Sequence, residues 1–291
     1  MRCPVSLLSC LMVCCLSVGA VTAQARPFLV AAENTWGDLA EQIAEPDMEV
    51  RSILTQPALD PHLYEPGPAE GRLVHDAALI VANGAGYDPW IDRLAAARSG
   101  QPARLVRAQD VMTWHEGDNT HLWYNFKVVR AFVERLVTEC QQADPMHSAA
   151  YARRGAAVLS AVGQVEQQAA QARTLIGGMV VAATEPVFTP LAESLGLIMK
   201  EQAFQLAIMN DVEPPASAVA AFHDDIEQQR IRMVAYNAQA DRPSVQRLIA
   251  LARQKAMPVL PVQEIMPQGL HWQSWVGQTI EHVIQALGKK Q

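Results

Sequence analysis

Two histidines and two glutamates carry the chemistry this chain can offer. His62 lies in Asp60-Pro61-His62-Leu63-Tyr64-Glu65-Pro66, and His121 in Asn119-Thr120-His121-Leu122-Trp123-Tyr124. Glu185 follows the apolar run 179–184, and Glu264 follows the run 258–263. Each is the polar residue nearest the end of an expected strand, and each sits in a different loop. An imidazole offers a lone pair to a borderline metal at neutral pH, and a carboxylate adds the negative charge a dication needs. If the four converge, they can hold one divalent transition ion such as manganese, iron(II) or zinc.

Each residue alone has a plainer reading. A single histidine is more often a surface or hydrogen-bonded side chain than a ligand, and His75, His115, His147, His223, His271 and His282 are read that way. Glu185 could be a helix-start carboxylate favoured by the dipole, and Glu264 an exposed loop acid. The sequence contains no HExxH, CxxC, P-loop or Gly-x-Ser-x-Gly pattern. Asn83-Gly84-Ala85-Gly86 lacks the later glycine and the ribose-binding acid of a dinucleotide fingerprint. Trp123, Trp272 and Trp275 are read as core or cleft wall.

The elements that must position these side chains alternate along the chain. Apolar runs at 28–32, 50–54, 79–82 and 104–106 read as strands. Amphipathic stretches at 36–43, 68–76, after Pro89 and at 125–140 read as helices. The stretch 145–175 has no proline after its start and reads as one long helix, ended by Gly177-Gly178. Alternation then resumes, with strands at 179–183, 232–236 and 258–262 and helices at 188–195, 215–228, 244–256 and 272–287. This predicts an α/β chain of two lobes with parallel-type sheets flanked by helices, joined by one long rigid helix. The expected divisions are 26–144 for the first lobe, 145–176 for the linking helix and 177–291 for the second. Ligands of such sheets bind beyond the carboxyl ends of the strands, so the cleft between lobes is the expected site.

Bulk properties narrow the function. The chain has 291 residues, 50% of them apolar and 18% charged, with a net charge of −7. That acidic balance, with no basic run, argues against a nucleic-acid partner. Arg2, the apolar run 5–21 and Ala23-Gln24-Ala25 have the pattern of an export signal, so residues 1–25 are expected to be a cleaved signal peptide. Leu7-Leu8-Ser9-Cys10 only faintly resembles a lipoprotein cleavage box. Cys3, Cys10, Cys14 and Cys15 fall within the signal, which leaves Cys140 as the one cysteine beyond it and no internal disulfide. Cys140 is expected as a packed thiol near the end of an amphipathic helix.

With these residues in place, the chain resembles the metal-binding solute receptors of ABC importers, which capture zinc or manganese outside the cytoplasmic membrane. The resemblance rests on the His62 and His121 motifs, on Asn83-Gly84-Ala85-Gly86-Tyr87-Asp88-Pro89-Trp90, and on the long helix after Asp144-Pro145. It implies two α/β lobes holding one metal between them, with His62, His121, Glu185 and Glu264 as ligands. The third ligand of typical zinc receptors is His, and Glu185 stands there as in typical manganese ones. The Asp that usually precedes Pro near the last strand is absent from Val262-Gln263-Glu264-Ile265-Met266-Pro267, and Glu264 is its substitute within one residue of register. Tyr236-Asn237-Ala238-Gln239 also departs from the family pattern and is read as a source of contacts behind the ligands. The His- and acid-rich loop of many zinc receptors is missing, since only Glu116-Gly117-Asp118-Asn119 precedes His121. Two nitrogens and two carboxylates lean slightly to manganese or iron(II) over zinc, although intrinsic affinity ranks zinc higher.

The resemblance further implies a periplasmic, non-enzymatic, monomeric protein that hands its metal to an ABC permease in the cytoplasmic membrane. Two alternatives use the same residues differently. A secreted metallohydrolase would need an open coordination position and a general base. A metal-free solute receptor or adhesin would use the histidines as polar cleft residues only.

Overall fold

Runs that alternate little and are apolar throughout become strands covered on both faces, as parallel sheets require. In the computed structural model, which describes residues 26–57, 59, 61, 64–100, 104–239 and 242–288, two such sheets form. The first has β1 (Phe28–Glu33), β2 (Glu49–Leu54), β3 (Leu79–Ala82) and β4 (Arg104–Arg107), in the order β2-β1-β3-β4. The second has β5 (Val180–Ala183), β6 (Ile198–Lys200), β7 (Val234–Asn237) and β8 (Val259–Val262), in the order β6-β5-β7-β8. Every pairing is parallel. Parallel neighbours need crossovers. In the first sheet α1 (Asn34–Ala44), α2 (Pro68–Asp76) and α3 (Pro89–Ala96) supply them. In the second, α6 (Thr189–Ser194), α7 (Gln202–Met209), α8 (Ala216–Glu227) and α9 (Pro243–Gln254) do so.

The strand order reverses between β1 and β3 and again between β5 and β7. Such reversals open a crevice at the carboxyl ends of the strands. Helix α4 (Phe126–Ala143) leads into the long α5 (Ser148–Ile176), and α10 (Trp272–Gly288) closes the chain. A 3-10 turn over Pro145–His147 comes first, so α5 begins three residues later than the pattern alone predicts. At about 1.5 Å per residue α5 is some 44 Å long. Gly155 lets α4 approach it closely, since a Cβ there would lie 2.2 Å from Val137 Cγ2.

β6 and α7 carry no readable pattern in the sequence. β6 is a three-residue edge strand with Ile198 half exposed, and α7 has only eight residues. Both are too short to display a period.

Apolar packing joins the lobes. One continuous cluster runs from Leu29, Trp36 and Phe132 through Tyr151, Val162 and Ile176 to Phe188 and Trp272. Ile265, just past β8, is fully buried but packs with Val30, Ala32, Ile80 and Trp90 of the first lobe. The segment around it is hydrogen-bonded to α1. Asn34 donates Nδ2–H to the Met266 carbonyl at 2.6 Å and accepts the Met266 N–H at 3.1 Å. Asp38 accepts the Trp272 N–H at 2.7 Å and faces His271 Nδ1 at 2.6 Å. Replacing Asp38 with Ala orphans the buried Trp272 N–H, and urea denaturation is expected to show a loss of about 2 kcal/mol.

Cys140 is a buried free thiol whose pKa burial pushes up to about 12, as befits a packing role. Among the described residues no helix is long and apolar enough to cross a membrane. The expected signal, residues 1–25, lies outside the described residues.

Candidate metal centre

Three of the four candidate residues meet in the crevice. His121, Glu185 and Glu264 are all buried, and one potential ligand atom from each lies within 4.8 Å of the other two. His62 lies outside the described residues. Of its neighbours, Tyr64 packs edge-on against Trp90 with ring centroids 5.1 Å apart.

The sheet topology accounts for the meeting. Glu185 comes two residues after β5, and Asn237 ends β7, on either side of the reversal in the second sheet. Glu264 comes two residues after β8, the next strand over. His121 arrives from the first lobe through the long connection between β4 and α4. Glu185 also flanks the 3-10 turn Pro186–Phe188, so the helix-start reading and the cleft reading hold together.

The imidazole of His121 is oriented by Asn119. The Asn119 Nδ2–H donates to the Pro186 carbonyl at 2.8 Å, which leaves Oδ1 as the acceptor facing His121. That oxygen accepts the His121 backbone N–H at 2.9 Å and lies 2.8 Å from Nδ1. Nδ1 therefore carries the proton of the neutral ring, and Nε2 carries the lone pair. Nε2 is 3.7 Å from Glu264 Oε2. Because Asn119 reaches Pro186, the loop of His121 is also tied to the loop of Glu185. The ring sits among Tyr87 and Trp123, with centroids at 6.1 and 5.3 Å.

Asn237 and Gln239 hold the two acids. Asn237 Nδ2 lies 2.8 Å from Glu185 Oε2 and 2.5 Å from Glu264 Oε1. Gln239 accepts the Glu264 N–H at 2.7 Å and donates to the Leu59 carbonyl at 3.0 Å, reaching the loop that carries His62. Tyr87 is hydrogen-bonded to Glu264, and burial followed by the Glu264 charge pushes its phenol well above the usual value.

Behind Tyr87 lies a buried acid pair, Glu33 and Asp88. Burial raises both, and the nearby Asp88 carboxyl raises Glu33 further. Asp88 is pushed up to about 6. Its two oxygens accept the Asn83 and Gly84 N–H groups, each at 2.7 Å. The turn so fixed lets Asn83 donate to the Thr120 carbonyl at 2.8 Å, immediately before His121. The Asn83-Gly84-Ala85-Gly86 turn thus buttresses the site, with both Gly84 and Gly86 at positive φ.

A family model described as "Zinc-uptake complex component A periplasmic" matches residues 29–286. The chain belongs to this family. Within curated relatives it is 28% identical over 142 residues to the manganese-binding lipoprotein MntA of Halalkalibacterium halodurans, spanning 48% of this chain and 47% of that one. The match therefore covers about half of that relative. It is 21% identical over 256 residues to the high-affinity zinc uptake system protein ZnuA of Paracoccus denitrificans, spanning 74% and 77%. The solved structure of the periplasmic zinc binding protein TroA from Treponema pallidum superposes with a TM-score of 0.73 at 18% identity, over 90% of this chain and 99% of that one. This last likeness is one of fold: two parallel-sheet lobes and a long helix between them.

Asn237 and Gln239 come from the stretch expected to supply contacts behind the ligands. Asn119 and Tyr87 carry no signal of their roles in the sequence, and the Asn237 contact to both acids needs the two loops to be placed together.

Proposed function

We propose that this protein is an extracytoplasmic receptor that binds one divalent transition metal, zinc, manganese or iron(II), between its lobes and delivers it to an ABC permease. The observation that carries this reading is the buried meeting of His121, Glu185 and Glu264 at the strand ends of a chain of this family. His62, from the loop after β2, is the fourth donor in this reading. The division into 26–144, 145–176 and 177–291, export by a cleaved signal at 1–25, periplasmic residence and a monomeric state belong to the same proposal.

The chemistry is capture. His121 supplies a neutral nitrogen whose tautomer Asn119 fixes, and the two acids supply the negative charge that offsets the cation's. Tyr87 and Trp123 exclude water around the ring. Four protein donors fill a tetrahedral sphere and leave no position for a reacting water, which argues against a hydrolase.

Thermal melts with added zinc or manganese test the reading. The unsubstituted protein is expected to gain melting temperature, since a ligand that binds only the folded state stabilises it. His121→Ala is expected to lose most of that gain. No shift with any transition metal would leave the metal-free receptor as the better reading.

A further inference from the structure

The segment that carries Glu264 leaves the second sheet and fastens to the first lobe. Ile265 is fully buried, and the residues around it, Val30, Ile80 and Trp90 among them, belong to the first lobe. One residue on, Met266 meets Asn34, the first residue of α1. The Asn34 side chain donates to the Met266 carbonyl at 2.6 Å and accepts the Met266 N–H at 3.1 Å. A backbone N–H can only donate and a carbonyl can only accept, so these two contacts fix which way round the amide sits. One side chain thus satisfies both backbone groups of Met266, as a neighbouring strand would. Glu264 is followed at once by an apolar plug and a two-bond anchor, both on the lobe that supplies His121. Its Oε2 lies 3.7 Å from His121 Nε2.

We propose that Asn34 is a positioning residue of the metal centre: with the Ile265 plug it fastens Glu264 to the first lobe, fixing that acid against His121 by contacts that involve no cation. This rests on the receptor reading above and adds how one of its acids is held for capture. Asn34 acts only through the backbone of Met266. A loop fixed in advance has less freedom to lose when a ligand arrives, so it binds more tightly. Much of the gain is expected in the dissociation rate, because a cation leaves when one of its donors swings away.

A neighbouring contact separates this role from a merely structural one. Asp38, one turn further along α1, ties down the same stretch of chain by accepting the Trp272 N–H at 2.7 Å. Both ties stabilise the fold, but only the Asn34 tie lies beside Glu264. Zinc affinity by competition titration, zinc release to a chelator by stopped flow, and metal-free melts are measured on the full-length protein. Asn34→Ala is expected to lower zinc affinity by about 10-fold, as loss of a partner behind a metal ligand does, with a matching rise in the release rate. Asp38→Ala is expected to lower the metal-free melting temperature at least as much and to leave zinc affinity unchanged. Ile265→Ala is expected to follow Asn34→Ala, whereas Ile265→Val, which keeps a branched plug, stays close to the unsubstituted protein.

Unchanged zinc affinity and release in a folded Asn34→Ala or Ile265→Ala protein overturns the proposal and leaves the receptor reading intact. Equal losses of affinity in Asn34→Ala and Asp38→Ala also overturn it, since binding then tracks stability rather than the place of Glu264. No binding of zinc or manganese by the unsubstituted protein defeats the receptor reading itself, and this inference with it.

Discussion

Glu264→Gln is expected to weaken zinc binding by more than about 100-fold, beyond the range seen when only a partner behind a ligand is lost. The substitution keeps the shape of the side chain and removes its charge. Two buried carboxylates share the amide of Asn237 within a few ångströms, and like charges in a low-dielectric pocket repel. Removing one charge is therefore expected to leave the metal-free protein as stable as before, or more so. Binding and folding should move in opposite directions, which separates a ligand from a merely structural acid. Titration calorimetry and metal-free thermal melts on the same samples measure both. Affinity within a few-fold of the unsubstituted protein would remove Glu264 from the donor set.

The metal-free protein is expected to grow more stable as pH falls from about 8 to about 5. Asp88 has an ordinary value of 3.8 and is raised to about 6 in the fold. Between these values the folded chain holds a proton that the unfolded chain has released. Stability is then fully present below the unfolded value and is lost as pH rises through the folded one, by on the order of 2 kcal/mol for the proton shared with Glu33. Glu201, raised from 4.5 to about 7 chiefly by burial, acts in the same direction. Metal capture has the opposite trend, because its ligands must be deprotonated. Melts of the metal-free and zinc-loaded protein across this range should therefore converge as pH falls. Glu33→Gln removes a carboxyl that burial and the Asp88 charge hold well above its ordinary value, and is expected to flatten the metal-free curve. A metal-free protein that is more stable at pH 8 than at pH 5 would contradict the assignment.

Much of the architecture was legible because apolar periodicity is local. The run Phe28–Glu33 is buried from Leu29 onward, and of the residues whose helical spacing predicted α4, Val128, Val129, Phe132 and Leu136 are buried while Val137 is partly so. Elements of three and eight residues, β6 and α7, escaped because they complete too little of a period to register. Ile265 escaped for a different reason. Its apolar character shows that it is buried, but nothing in its neighbours says that it packs in the core of the other lobe.

The sequence by itself determined the fold class, the long connecting helix and the donor types offered at the strand ends. It also showed which loops could contribute, because a polar residue that follows an apolar strand is a local pattern. Tertiary structure alone decided that His121, Glu185 and Glu264 meet, that Glu264 points inward while Ile265 plugs the first lobe, and that one amide from Asn237 spans both acids. It also decided the proton position on His121, through Asn119 and its bond to Pro186. The physical reason is that strand order and the reversal between β5 and β7 set these distances. Strand order follows from packing among segments as far apart as Asn34 and Met266, 232 positions along the chain.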